Sequence, residues 1–134
     1  MNDKAREWMA EPNEKFLPAK DGIEALIMRS TWYGGLCGYI GVPEGHPAYE
    51  NRSVWEEVDG VHGGWTRFDA DNFLTRTKKG LYWVGFDCNH SGDYKPYRDD
   101  EAGDPESYRN MEFVTAELER VRDRLLEMTA APAP

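Results

Sequence analysis

Residues 81–88, LYWVGFDC, are apolar on both faces of an extended chain. Side chains alternate across a strand, so Tyr82, Val84, Phe86 and Cys88 point one way, and Leu81, Trp83, Gly85 and Asp87 the other. A strand with one wet face would alternate apolar with polar residues. This one reads as an interior strand, and the rest of the chain must supply its neighbours.

A cover for such a sheet is legible near the C-terminus. Met111, Val114, Leu118, Val121, Leu125 and Met128 recur at helical spacing. Asp104 suits an N-cap and Pro105 the first helical position, which places the helix over about 105–127. Glu117 with Arg120 and Glu119 with Arg122 stand at neighbour spacing for the solvent face. Residues 129–134, TAAPAP, read as a flexible tail.

IEALIMRSTWY (23–33) and LCGYIGV (36–42) give two further strands. Gly34-Gly35 between them suits a type I′ turn and predicts a hairpin over 23–42. VHGGWTRF (61–68) resumes strand character, and DADNFLTRTKKG (69–80) returns to the surface. The intervening PEGHPAYENRSVWEEVDG (43–60) has no sustained period, though a helical turn around 48–57 would bury Tyr49 and Trp55. At the start, DKAREWMA (3–10) predicts a short helix with Trp8 and Met9 inward. Pro12 and Pro18 make 11–22 an extended lead-in. The expected architecture is a lead-in over 1–22 and one α+β domain over 23–128. That domain has about four mainly antiparallel strands with a long C-terminal helix across one face.

A length of 134 residues suits a single core. The net charge of −9 argues against electrostatic capture of nucleic acid, which needs a basic surface. No stretch approaches the ~18 apolar residues of a membrane span, and the charged N-terminus is unlike a signal peptide. A cytosolic protein is expected, with Cys37 and Cys88 as free thiols.

The interior strand runs into Asp87, His90 and Asp93, and all three histidines stand in glycine-rich loops: EGHP, VHGG and NHSGD. Asp87 and His90 are the candidates for acid–base chemistry, with His46, His62, Gly63, Gly64 and Asp93 as ligand-binding neighbours. The glycines of the HGG segment would let backbone N–H groups approach an anion, or simply make a turn. A carboxylate and two imidazoles, Asp87 with His62 and His90, form a donor set suited to a divalent transition metal, although their spacing matches no established signature. Two plainer expectations stand beside these. Asp87 can accept backbone N–H groups of its own turn, and Cys88 can be an ordinary buried thiol rather than the nucleophile of a Cys88–His90 pair.

GYIGVPEGHPAY (38–49), VHGGWTRF (61–68), YWVGFDCNHSGDY (82–94) and YRNMEFVTAELERVRDRL (108–125) resemble the ordered motifs of a family of small uncharacterised tailed-phage and prophage proteins. The resemblance spans roughly residues 22–126. It implies phage provenance and groups GHP, HGG and GFDCxHxGD into one constellation, without naming a reaction. Residues 50–60 and 68–80 carry no part of it.

Two functional expectations follow. The first is a His/Asp pocket for a small, anionic or nucleotide-like ligand, with or without metal assistance. The second is an acidic accessory protein that meets a host protein through the segments 44–59 and 93–106, competing there with nucleic acid.

Overall fold

In the computed structural model, which describes residues 3–58, 60–69, 80–101 and 107–130, Leu81–Asp87 is an interior strand. The elements in chain order are α1 (Asp3–Ala10), β1 (Glu14–Lys20), β2 (Ile23–Arg29), β3 (Leu36–Pro43), α2 (Arg52–Glu57), β4 (Arg67–Phe68), β5 (Leu81–Asp87) and α3 (Met111–Ala130). A short 3-10 segment, Pro96–Glu101, precedes α3. The strands form one antiparallel sheet in the order β1-β2-β3-β5-β4. The fold is α+β, with five strands rather than about four.

The two faces of β5 divide as its alternation requires. Val84, Phe86 and Cys88 join Ile27, Ile40 and the α3 residues Val114, Leu118, Val121 and Leu125 in the main core. Leu118 seats directly over Gly38, where an added Cβ would come within 3.1 Å of Leu118 Cδ2. On the other face Leu81 and Trp83 join Leu26, Cys37 and Tyr39 in a smaller cluster. Two of its aromatic rings fill glycine gaps on neighbouring strands. A Cβ on Gly41 would meet the Trp83 ring at 2.7 Å, and one on Gly85 would meet the Tyr39 ring at 2.5 Å.

The hairpin 23–42 is present, but Gly34-Gly35 does not close it alone. Pairing begins at Arg29↔Leu36, so residues 30–35 form a wider loop. The tight turn lies one connection earlier, where Lys20↔Ile23 flank Asp21-Gly22. Both turn residues have positive φ, 49° and 82°, as a type I′ turn demands. This turn folds the expected lead-in back as the edge strand β1. Pro18 is tolerated at the edge, and the pairing slips between Leu17 and Lys20.

Other expectations shift in detail. In α1 the buried residue is Ala5, while Met9 is 55% exposed and only Trp8 packs, edge-on against Tyr97. In α2 Trp55 is fully buried and donates its indole N–H to Ala48 O, while Tyr49 is half-buried. Of VHGGWTRF only Arg67–Phe68 is strand. The long helix starts at Met111 instead of 105, because Ser107 pairs with Asp93 in a parallel bridge. Asn110 is its cap, accepting the Phe113 N–H at 2.8 Å.

Helical backbone continues through residues 129 and 130, which the sequence assigned to the tail. Glu117 and Arg120 pair at 2.8 Å, but Arg122 faces inward and donates to Pro18 O. Asp104 and Pro105 lie outside the described residues, as do Asp59, Glu106, residues 70–79 and residues 131–134.

Candidate functional site

Where β5 ends, the Cys88 N–H donates to Leu36 O and the chain enters a turn closed by the Asp93 N–H on His90 O. This turn exists to hold Asp93, a carboxylate only 1% exposed. The His62 Nε2–H donates to both its oxygens at 2.8 Å. Arg109 Nε donates to Oδ1 at 3.1 Å, and the His90 backbone N–H to Oδ2 at 3.1 Å. A buried charge is tolerable only when satisfied in this way. His62 is presented by a turn in which the Gly64 N–H meets Val61 O, and its own N–H donates to Glu117 Oε1 on α3. Phe113 packs edge-on against its ring.

Asp87 faces the opposite side of the sheet, across from Cys37 on β3. Its Oδ1 accepts the Asn89 N–H at 3.0 Å, and Thr66 Oγ1 donates to Oδ2 at 3.4 Å. His90 Nε2 lies 3.3 Å from Oδ1, out of hydrogen-bond alignment, and among the described residues this buried nitrogen makes no hydrogen bond. The His62 and His90 rings stand edge to face with centroids 6.2 Å apart. Two Asp–His pairs thus meet at one end of the sheet, linked by the His90 N–H on Asp93. Gly63, at φ 73°, is what permits the approach, since a Cβ there would run into the His90 imidazole.

Asp87, Asn89 and His90 form one wall of a cleft of about 330 Å³. Arg67 lines it too, and Trp32 and Tyr33 from the 30–35 loop stand at its rim. A second hollow of about 190 Å³ shares Trp32, Cys37 and Arg67 and adds Met28 and Tyr39. The loop is well tied. Arg29 donates to Gly34 O at 2.7 Å, the Gly35 N–H to Asn89 Oδ1 at 3.0 Å, and the Tyr97 N–H to Tyr33 O at 3.0 Å. Burial, then the Asp87 charge, push the Cys37 thiol up to about 11. Burial raises Tyr39 as well, followed by the neighbouring Cys37.

The structure therefore brings together Asp87, His90, His62, Gly63 and Asp93. His46 stands apart. β3 runs from Leu36, near Asp87, to Pro43, opposite Leu81, so a residue just past Pro43 emerges at the far end of the sheet. There His46 is clamped, with the Ala48 N–H on Nδ1 and its Nε2–H on Leu125 O. The HGG segment is not an anion cradle either, because the Gly64 N–H is engaged in its own turn and Gly63 backs an imidazole. Asp87 does fix its turn, through Asn89, while also lining the cleft.

Among the described residues no three His, Cys, Asp or Glu side chains are grouped to hold a metal ion. His62, Asp87 and His90 do not converge as ligands, because Asp93 holds His62 Nε2. Cys88 belongs to the core under α3, and burial, then Asp93, raise its thiol, the reverse of an activated nucleophile. Of the acidic segments, Asp93 is buried and Glu44 lines a separate hollow of about 740 Å³ with Asp21, Asp123 and Glu127, while the side chains of 99–106 lie outside the described residues. Trp32, Tyr33, Arg67, Arg109, Cys37 and Tyr39 enter the site from the structure. The sequence marked none of these as site residues, and Trp32 and Tyr33 read there as the end of the strand run 23–33.

No family model, curated protein or solved structure matches this chain. Among the described residues no helix is long and apolar enough to cross a membrane.

Proposed function

We propose that the protein binds a small ligand, anionic or nucleotide-like, in the cleft between the 30–35 loop and the Asp87–His90 turn. One observation carries this reading: a carboxylate, an imidazole and a guanidinium, from Asp87, His90 and Arg67, line one cleft beside the exposed Trp32. A few convergent polar groups in a partly apolar hollow are what a small-ligand site requires. The cleft sits at the lower end of the ~300–1,000 Å³ typical of small-molecule sites. Arg67 supplies local positive charge against the overall −9. Where the ligand is transformed, His90 carries the proton and Asp87 steadies it. The motif resemblance supports a phage accessory role in the host cytosol.

A panel of anionic metabolites, read by thermal unfolding, tests the proposal. A ligand present at 100 times its Kd adds about 2.7 kcal/mol to stability. The expected result is a compound that stabilises the wild type and loses its effect on His90→Ala. Equal stabilisation of both proteins, or of neither by any compound, would contradict it.

A separate observation favours a second reading, contact with a basic surface of a host protein. It is the hollow lined by Asp21, Glu44, Asp123 and Glu127, at the opposite end of β3. Binding of a polylysine peptide that disappears in a Glu44→Gln, Asp123→Asn double variant would support it. Retention of binding would remove it.

A further inference from the structure

Trp32 is 76% exposed, the most exposed large apolar side chain among the described residues. Its loop is nevertheless fixed at both ends by Arg29, Asn89 and the Tyr97–Tyr33 backbone bond. An indole held in water by a tethered loop beside a cleft is a stacking platform without its partner. Asp87 lines the same cleft, and among the described residues its oxygens accept the Asn89 N–H and a long bond from Thr66, with His90 Nε2 3.3 Å from Oδ1. An ionised carboxylate offers about four lone-pair sites, so acceptor capacity remains on both oxygens. Arg67 lines the same cleft and the adjoining hollow.

We infer that the cleft takes a guanine-type nucleotide, its flat ring on Trp32, its neighbouring ring N–H donors on Asp87 and its phosphate toward Arg67. The inference rests on the small-ligand reading above and gives it a chemical class. Stacking on an indole accepts any planar base, so Trp32 supplies affinity without choice. Discrimination comes from Asp87. A carboxylate can only accept, and guanine presents N–H donors at two adjacent edge positions. Adenine offers one amino group beside a ring acceptor, whose lone pair faces the carboxylate. A charged guanidinium is well matched to a phosphate, which gives the anion its place.

Titration with GMP, AMP and guanosine, followed by tryptophan fluorescence and calorimetry, tests the assignment. GMP should bind about tenfold or more tightly than AMP. Asp87→Asn should erase that preference, while Trp32→Ala should weaken GMP and AMP alike by about tenfold. Guanosine should bind more weakly than GMP, and Arg67→Gln should bring GMP down to the guanosine level. Because Trp32 is exposed, Trp32→Ala should keep the wild-type unfolding midpoint, which makes its binding loss interpretable. Equal affinity for GMP and AMP overturns the inference, as does GMP binding untouched by Trp32→Ala. If no nucleotide binds while another anion does so in a His90-dependent way, the nucleotide assignment fails and the small-ligand reading survives. If no anion binds, both fail.

Discussion

Asp93 is the residue on which the site turns. It gathers His62, Arg109 and the His90 backbone, three contacts from three stretches of chain, onto one buried carboxylate. Asp93→Asn keeps the shape but removes the charge that satisfies the His62 N–H and Arg109. The expected destabilisation is about 3–5 kcal/mol, measured by urea unfolding. A loss below about 1 kcal/mol would show that the network is incidental. Gly63→Ala is a second probe, since the new methyl meets His90 at a backbone φ of 73°. About 1–3 kcal/mol should be lost and the His90 ring resonances should move. Unchanged resonances would mean that the two loops do not touch. Asp93 and His90 were legible because polar groups following an apolar strand are conspicuous in one dimension, and His62 because of its glycine-rich loop, whereas Arg109 carried no such signal. His46 shared the same glycine-loop signature, and only strand direction distinguishes it. Trp32 and Arg67 left no comparable mark, because a rim residue is defined by what stands opposite it.

At the scale of elements, the C-terminal helix was readable because its apolar period survives without tertiary context. Its start was not. Asp104-Pro105 is a stronger local start signal than Asn110, yet the pairing of Ser107 with Asp93 holds the chain extended until Asn110. Leu118→Ala, at the centre of the α3–sheet contact and over Gly38, should cost about 2–4 kcal/mol in unfolding free energy. A change under half a kcal/mol would mean the helix face is misassigned. The hairpins show a related competition. Gly34-Gly35 resembles a two-residue turn, but Arg29 bonds the Gly34 carbonyl and draws residues 30–35 into a wider loop. Asp21-Gly22 was equally visible as an Asp-Gly turn, and the two nearby prolines obscured it. Pro18 fits once β1 is seen to be an edge, and Pro12 lies before the strand begins.

For the molecule as a whole, the sheet places one covered face under α3 and sets the cleft on the other, beside Cys37 and Tyr39. That arrangement has a pH signature. The Cys37 thiol rises from 9.0 to about 11 on folding, so the folded state holds its proton more tightly than the unfolded chain. Its contribution to stability is complete below pH 9 and is lost as pH rises from 9 to about 11. Cys88, Tyr39 and Tyr108 are raised as well and act in the same direction. Urea midpoints should therefore stay level from pH 8 to 9 and fall beyond it, and Cys37→Ser should flatten part of that fall. A midpoint that rises toward pH 11 would contradict the buried placement of these groups.

Asp87, His90 and Trp32 are proposed to form one ligand site, whereas His46 is held at the far end of the sheet. Histidine side-chain and tryptophan indole NMR during titration with GMP tests this most directly. The His90 ring and the Trp32 indole should shift together along one binding curve, with His62 following weakly and His46 still. Shifts at His46 with none at His90 or Trp32 would contradict it.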